Sequence, residues 1–231
     1  MGKIGKNSLD IQESNRLSIL RILAGEDVLT RAELSRRTGL KQATITNIIN
    51  DFLASGVVSE TGALKGNLGR RSIGIRINAE KFNVVAIKIA RRSYSVGIFN
   101  IKNQLLEKEY QKLDPAAGAS AVLERIVSDA RSLMQKYGSC CAVGVAVPGP
   151  YLRREGRIAV MTEFAGWEKI DICKQLGAAG EQPVFVEHDA NAGALGEWSR
   201  SANIGRDDVL VHLLASEGIG AGVVIGGKII S

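Results

Sequence analysis

The sequence has few of the residues that would indicate a disulfide scaffold or a metal protein. Its 231 residues include three cysteines, Cys140, Cys141 and Cys173, and two histidines. An odd cysteine count with two adjacent members argues against a disulfide framework and favours a reducing, cytoplasmic compartment. No CxxC pair or histidine–cysteine spacing is typical of a metal site, so the sequence predicts no metal and no cofactor in this chain.

Long hydrophobic runs are also absent. No stretch approaches the roughly 20 apolar residues that cross a bilayer, and the start, MGKIGKNSLDIQES, has no apolar core after its lysines. We therefore expect no membrane segment and no signal peptide. Hydrophobic residues nevertheless make up 45% of the chain, which is enough for a packed core and excludes a disordered protein.

Positive charge is concentrated in the first third of the chain. Residues 1–77 hold 12 Lys and Arg against 7 Asp and Glu, whereas residues 78–231 hold 18 against 17. A basic module beside a near-neutral domain favours a polyanionic partner for the basic module alone. A solvated basic surface would have the same composition.

Three helices are predicted in this basic part. Apolar residues at helical spacing predict the first over Asn15–Ala24, and Gly25 ends it. Thr30 and Glu33 form a capping box for the second, and a tight turn at residues 38–40 leads to the third. The apolar faces of the three are Leu17, Ile19, Leu20, Ile22 and Leu23; Ala32 and Leu34; and Ile45, Ile48, Ile49, Phe52 and Leu53.

The polar face of the third helix is suited to reading DNA. It offers short donors and acceptors near a helix N-terminus, which can pair with base edges while backbone N–H groups meet a phosphate. Ile73, Ile75 and Ile77 then alternate with other residues as in a half-buried strand. The loop at residues 66–69 makes this strand the return of a hairpin, which is a wing.

Residues 1–78 are therefore predicted to be a winged helix-turn-helix that binds double-stranded operator DNA, and a helical protein-interaction module is the alternative. The predicted DNA contacts are Arg31, Arg36, Lys41, Gln42, Ala43, Thr44, Thr46, Asn47, Lys65, Arg70 and Arg71. The last three lie at the wing, where arginine and lysine meet phosphates or a minor groove.

Residues 79–231 are predicted to be an α/β domain with a mixed sheet. Three strands come first, followed by a helix at residues 117–136, a strand ending in Pro148-Gly149-Pro150, a short helix, and a strand that ends at His188-Asp189. Asp189 would lie at the carboxyl edge of the sheet, where α/β proteins bind ligands, and could accept a hydroxyl proton. An N-cap role for Asp189 is equally open, and a lone histidine is weak evidence for a site.

The whole chain from about residue 15 resembles the ROK family of repressors and sugar kinases, especially its transcriptional regulators. The segments that carry the resemblance are LTRAELSRRTGLKQATITNIINDFLASGVV, GRRSIGIRIN, VGVAVPGPY, GW at 166–167 and EHDANAGALGEW. The resemblance implies an actin-like, hexokinase-like (ASKHA) fold after the winged head. It also implies sugar contacts at Gly149, His188 and Asp189, with Trp167 and Asn191 as weaker candidates.

Two segments depart from what the resemblance implies for a kinase. ROK kinases carry Asp-x-Gly-Gly-Thr where this chain has Lys88-Ile-Ala-Arg-Arg92, and their second phosphate loop has threonine where this chain has Glu217. Loss of the glycines keeps the backbone away from a phosphate, and a carboxylate there repels ATP. Because phosphoryl transfer depends on positioning and electrostatics, we expect no kinase activity. His188 also stands where the family has asparagine.

The resemblance implies a sugar-responsive regulator, most readily a repressor, that binds its operator as a homodimer and a monosaccharide or sugar derivative as effector. One alternative is an active kinase with a DNA-binding head. Another is a regulator whose effector is a sugar phosphate or other anion, which Lys88, Arg91 and Arg92 favour unless they form a solvated turn. Family chains continue past residue 231 with a Glu-x-x-His sugar segment and a zinc-binding cysteine cluster. The ROK domain has two lobes in the family, and the second is expected to be incomplete in this chain, which would leave apolar strands unpaired. The chain could be a fragment, a natural truncation or an incomplete sequence, and all three explanations remain open.

Overall fold

The computed structural model describes residues 8–64, 72–159, 166–177, 180–201, 204, 208–216 and 218–230. The chain forms two compact units. We call Met1–Phe82 with Asn100–Gln104 the head unit, and Asn83–Phe99 with Leu105–Ser231 the cleft unit.

The head unit combines three helices with a three-stranded sheet in the order β1-β3-β2. Its elements are α1 (Ser8–Ala24), β1 (Leu29–Thr30), α2 (Arg31–Thr38), α3 (Gln42–Ala54), β2 (Val58–Leu64) and β3 (Ser72–Ile77). The strands pair antiparallel, and β2 and β3 form the predicted hairpin. This order of elements is that of a winged helix-turn-helix.

Local chemistry sets the ends of α2. The Thr30 hydroxyl accepts the backbone N–H of Glu33 at 3.2 Å, and the Thr30 N–H donates to Oε2 of Glu33 at 2.8 Å, so the predicted capping box is present. Gly39 follows the helix with φ of 71°, a left-handed conformation that suits glycine. The capping box therefore fixes the start of α2, and Gly39 ends the helix and forms the turn toward α3.

The core of the head unit is built from one face of each helix and from the three strands. Ile19 and Leu23 of α1 and Ile49 of α3 are almost fully buried. Three predicted core residues are exposed instead: Leu17 (54%), Ala32 and Ile73 (46%). Leu17 precedes Ile19 by two residues, about 200° around a helix. Ile73 lies beyond the register shift in β2, toward the loop end of the hairpin.

The turn at residues 100–104 belongs to the head unit although it joins two strands of the cleft unit. The backbone N–H of Ile101 donates to the carbonyl of Phe82 at 3.0 Å, and its side chain packs against the head core. The Lys102 ammonium pairs with Asp27 at 3.0 Å. The predicted boundary between residues 78 and 79 is untested, but the head unit extends past it for these reasons.

The cleft unit contains a five-stranded mixed sheet in the order β10-β7-β4-β5-β6. Strands β4, β7 and β10 are parallel, whereas β5 and β6 pair antiparallel. These strands are β4 (Asn83–Ile89), β5 (Ser93–Asn100), β6 (Leu105–Lys112), β7 (Cys140–Val147) and β10 (Val184–His188), and the helices are α4 (Gly118–Tyr137), α5 (Ile172–Gly177) and α6 (Asp189–Arg200). The predicted mixed sheet is confirmed.

Helix α4 supplies much of the core beside this sheet. Leu123, Ile126 and Ala130 are fully buried, and they join Val85 and Ile87 of β4 in one apolar cluster. A large side chain at such a position contributes about 2–5 kcal/mol against truncation to alanine. This packing holds β4 and its carboxyl end in place.

A second sheet of the cleft unit has the order β11-β12-β13 and packs against α6. Its strands are β11 (Val209–Ala215), β12 (Ile219–Ile225) and β13 (Lys228–Ile230). Val211, Leu213 and Ile219 are 62–87% exposed. Within the described residues these strands pair with one another, and their exposed apolar faces have no cover.

Four short strands were not predicted, namely β1, β13, β8 (Tyr151–Leu152) and β9 (Arg157–Ile158), with β8 and β9 forming a hairpin after Pro150. Each has two or three residues, too few for a periodic pattern to develop. No helix among the described residues is long and apolar enough to cross a membrane.

Candidate functional site

A cleft of about 370 Å³ lies at the carboxyl edge of the parallel strands. Strands β4, β7 and β10 all point to this edge, so the residues that follow them converge there. The turn between β11 and β12 forms the opposite wall. The residues lining the cleft are Lys88, Ala90, Arg91, Pro148, Gly149, Pro150, His188, Asp189, Leu214, Ser216, Gly218, Ile219 and Gly220.

Asp189 is the first residue of α6 and lines the cleft with its side chain 15% exposed. Its Oδ1 accepts the backbone N–H of Ala190 at 2.8 Å and lies 3.3 Å from Nε2 of His188. Its Oδ2 makes no hydrogen bond within the described part of the chain. The carboxylate thus accepts a backbone N–H of the first turn with one oxygen, but the N-cap residue of α6 is His188 and not Asp189. A ligand role for the other oxygen stays a prediction.

His188 occupies the N-cap position of α6 without capping it through its side chain. Its imidazole packs so closely on Gly149 that a Cβ at residue 149 would collide with Nε2 and Cδ2, and it lies 3.5 Å from where a Cβ at Gly220 would stand. The predicted contacts Gly149, His188 and Asp189 are thus brought together, and His188 touches both walls of the cleft.

The two weaker candidates for sugar contacts, Trp167 and Asn191, do not line the cleft. Trp167 is fully buried in the apolar core. The Asn191 side-chain amide donates to Oε1 of Glu187 at 3.0 Å, and Arg153 pairs with the other oxygen of Glu187. In this arrangement Asn191 and Glu187 hold the start of α6 and the β8–β9 hairpin, and a ligand role for Trp167 or Asn191 remains a prediction.

The outer face of α3 is the candidate surface of the head unit. Lys41, Gln42, Ala43, Thr46 and Asn47 are exposed, and Thr44 is partly exposed. The opposite face is buried. Lys41 at the N-cap makes no side-chain capping bond. Among the described residues, no side chain is recorded as accepting the first backbone N–H groups of α3, and such groups can meet a phosphate.

The remaining predicted DNA contacts differ in their surroundings. Arg31 is held by Glu60 of β2 at 2.9 Å, so its guanidinium already has a partner in the head unit. Arg36 is exposed in the last turn of α2. Lys65, Arg70 and Arg71 lie outside the described residues, although the two wing strands that lead to them are described.

Comparison with known proteins identifies the family. Residues 84–231, more than half of the chain, match the model of the ROK family. The chain belongs to the ROK family. Residues 12–59 match a model described as winged helix-turn-helix DNA-binding, which agrees with the architecture of the head unit.

Curated ROK relatives match almost the whole chain. Xylose repressors of Caldicellulosiruptor bescii and Bacillus subtilis are 23% and 25% identical over 98% and 93% of it, covering 57% and 56% of those proteins. The DNA-binding transcriptional repressor Mlc of Escherichia coli is 23% identical over 95% of this chain and 55% of its own. The chain thus spans about half the length of the curated relatives it matches.

Solved ROK structures give the same fold. A ROK family transcriptional regulator, a homolog of E. coli Mlc, superposes with a TM-score of 0.71 at 20% identity, covering 95% of this chain and 56% of its own. A ROK hexokinase from Thermus thermophilus matches 64% of this chain and 48% of its own, with a TM-score of 0.55 and 31% identity. These matches confirm a winged head followed by a hexokinase-like ROK domain.

Two cleft residues, Lys88 and Arg91, were not among the predicted ligand contacts of the ROK domain. Their positive charges are evident in the sequence, but a turn of basic residues is usually solvated. Only the fold shows that Lys88 and Arg91 line the same cleft as Asp189. Arg92, the third member of the basic run, is exposed and does not line the cleft. Glu217 lies outside the described residues. No cluster of metal ligands occurs among the described residues.

Proposed function

We propose that this ROK chain is a sugar-responsive transcriptional regulator that represses carbohydrate-use genes. The observation that carries the proposal is the presence, in one chain, of an exposed polar face on α3 and a cleft in which His188 and Asp189 meet. Relatives of this architecture are named xylose repressor and Mlc repressor.

The head unit acts through two kinds of contact. Gln42 and Asn47 reach base edges in the major groove, where an amide can pair with adenine through two hydrogen bonds. Lys41 and the N–H groups at the start of α3 bind phosphates and set the position of the helix. A homodimer places two such helices on a palindromic operator, as paired half-sites require.

The cleft binds the effector. Asp189 accepts a hydrogen bond from a sugar hydroxyl through Oδ2, and the imidazole of His188 donates or accepts a second. Release of DNA requires that the sugar binds one arrangement of the protein more tightly than the other. The protein acts in the cytoplasm, and the portion in this chain needs no cofactor.

Fluorescence anisotropy tests the proposal most directly. DNA from upstream of this gene is titrated at fixed salt with competitor DNA present, with and without a panel of monosaccharides and their derivatives. Specific binding that one compound releases supports the proposal. If no upstream DNA binds above the level of random DNA, the head unit does not read an operator and the proposal fails.

A sugar kinase with a DNA-binding head is the second candidate. The 31% identity to a ROK hexokinase and the unpartnered Oδ2 of Asp189 favour it. Against it, Lys88 occupies the cleft where the kinase motif has a carboxylate that holds magnesium, and a cation there repels the metal. An assay of ADP release from ATP in the presence of sugar distinguishes a kinase from a regulator without kinase activity. Turnover that disappears in Asp189→Asn would establish the kinase.

A further inference from the structure

Glu187 of β10 comes directly before the two cleft residues His188 and Asp189 but does not line the cleft itself. Val186 packs against the apolar core. Because successive residues of a strand point to opposite faces, the Glu187 side chain leaves β10 on the face away from that core. Its side chain is only 19% exposed, and a carboxylate with so little access to water requires partners in the protein.

Three segments of the chain supply those partners. Oε1 of Glu187 accepts the backbone N–H of His188 at 2.9 Å and the side-chain amide of Asn191 at 3.0 Å. The other oxygen pairs with the guanidinium of Arg153. One carboxylate therefore holds the end of β10, the first turn of α6 and the β8–β9 hairpin, and all of these bonds are charge-assisted.

The hairpin that contains Arg153 follows the cleft loop without a break. Gly149 and Pro150 line the cleft, and β8 begins at the next residue, Tyr151. The backbone N–H of Ala159, just after β9, donates to the carbonyl of Pro150 at 2.8 Å. The hairpin is thus tied to the cleft loop at both of its ends, so a bond to Arg153 also restrains the loop.

The contact between Gly149 and His188 depends on the relative position of the loop and the strand end. The imidazole packs so closely on Gly149 that a Cβ at residue 149 would collide with it. Binding groups keep their affinity when supporting hydrogen bonds hold them within about 0.5 Å of the productive geometry. The Glu187 carboxylate provides such support, because it bonds to both segments.

We propose that Glu187 is a positioning residue for the effector site, which fixes the distance between the Gly149 loop and the His188–Asp189 junction. This inference rests on the proposed function, in which His188 and Asp189 bind a sugar. Glu187 also sharpens selectivity, because a site held in one arrangement leaves a polar group unpaired when a sugar has one hydroxyl misplaced. Arg153 and Asn191 act through the same carboxylate.

Proton NMR of the imidazoles tests the positioning directly, because the chain has two histidines. His188→Asn assigns the two sets of signals. In Glu187→Ala, which loses all three bonds, the ring signals of His188 should move. His212 of β11 packs against Gly193 of α6 and is the internal reference, so its signals should keep their chemical shifts.

Titration calorimetry with glucose, xylose, mannose and N-acetylglucosamine measures the consequence for binding. Glu187→Ala should weaken the tightest of these sugars by about tenfold or more, the equivalent of one charged hydrogen bond, and should reduce its preference over the others. Glu187→Gln keeps a carbonyl oxygen for His188 and Asn191 but loses the charge that holds Arg153. It should therefore weaken binding by roughly threefold, as loss of a partly exposed ion pair does.

Matched variants assign the effect to the ion pair. Arg153→Gln should equal Glu187→Gln, and the double variant should add nothing, because both substitutions remove the same interaction. Arg154 and Glu181 are exposed and have no recorded ion pair within the described part of the chain. Arg154→Gln and Glu181→Gln therefore change the same charges and should leave sugar affinity within about twofold.

Three results would overturn the inference: His188 signals that stay unchanged in Glu187→Ala, equal movement of the His188 and His212 signals, or sugar affinities in Glu187→Ala that equal those of the Arg154 and Glu181 controls. Equal movement would make Glu187 a general stabilising residue. Anisotropy with operator DNA separates this inference from the proposed function. Specific DNA binding that no sugar changes rejects the sugar-responsive regulator, and the histidine signals then decide by themselves whether Glu187 positions the imidazole.

Discussion

The head unit carries its candidate polar groups on the outside of a helix, whereas the cleft unit gathers them where parallel strands end. On α3 the groups are Lys41, Gln42, Thr46 and Asn47, all exposed and close in sequence. In the cleft, Lys88, Gly149 and His188 lie at or just beyond the carboxyl ends of three strands and are separated by some 40 to 60 residues.

This difference affects how each surface recognises a partner. An exposed helix face can enter a groove and read a long polymer, but it does not enclose a small molecule. A recessed site at strand ends surrounds a small ligand with groups of different chemistry. Four predictions, given from the largest expected effect to the smallest, test each surface and the head unit that carries one of them.

The largest effect is expected for Gln42→Ala on α3. Loss of a two-pronged contact to a base should weaken operator binding by about 1–3 kcal/mol, or roughly 10- to 150-fold, with little change on random DNA. Anisotropy with both DNAs measures the ratio. Gln12→Ala, an exposed glutamine on α1, is the matched control. An equal loss of affinity for random DNA would show that α3 is not the recognition helix.

Gly149→Ala should act on the cleft alone. The new Cβ collides with the His188 imidazole, so the ring must move and the effector concentration needed for half-maximal DNA release should rise by about tenfold or more, a cost of about 1.4 kcal/mol. Affinity for DNA without effector should be unchanged. Gly144→Ala in β7 is the control, because a Cβ there meets nothing within 4 Å. Loss of DNA affinity in Gly149→Ala would show that the surfaces do not act separately.

Thr30→Ala should destabilise the head unit by about 0.5–2 kcal/mol through loss of the capping box. Hydrogen bonds from the Thr30 backbone and hydroxyl hold the pKa of Glu33 below its usual value of 4.5. That contribution is present above pH 4.5 and is lost as the pH falls through the lowered pKa. Urea unfolding from pH 7 downward should therefore show a deficit that narrows below pH 4.5.

Thr61→Ala is the control for the cap, because within the described part of the chain the Thr61 hydroxyl bonds only the neighbouring carbonyl of Gly62, at 3.3 Å. It should cost less than Thr30→Ala at every pH. A deficit in Thr30→Ala that stays constant down to pH 3 would mean that Glu33 does not contribute through its charge.

The smallest effect at physiological salt is expected for Arg70→Ala and Arg71→Ala in the wing. Each should weaken operator and random DNA alike by a few-fold and reduce the slope of log K against log salt by about 1, as loss of one phosphate contact does. Salt titrations of both DNAs measure this slope. Selective loss on the operator would instead assign these arginines to base readout.

Much of the head unit was predictable because its signals are local. Thr30, Glu33 and Gly39 determine a cap and a turn within ten residues, and the apolar spacing of α3 predicts its buried face. The failures at Leu17 and Ile73 have a common cause: an apolar residue is buried only where another element covers it. Periodicity alone does not say where that cover ends.

The candidate site was only partly predictable. Asp189 was predicted because it follows a strand and begins a helix, which is a local pattern, whereas the resemblance implied His188 as a sugar contact. Trp167 and Asn191 were chosen by resemblance. In the structure Trp167 is buried in the core, and the Asn191 side chain donates a hydrogen bond to Glu187. Lys88 and Arg91 were visible as charges, but their entry into the cleft depends on the order of the strands.

By itself, the sequence determined the division into a basic head and a near-neutral α/β domain, the helix-turn-helix, and the strand-to-helix junction at Asp189, because charge, spacing and capping act over short stretches. Only the tertiary structure decided which of the three neighbouring basic residues enter the cleft and which distant glycine makes room for His188. Those relations join residues far apart in the chain, and they follow from parallel strand order and close packing rather than from any local pattern.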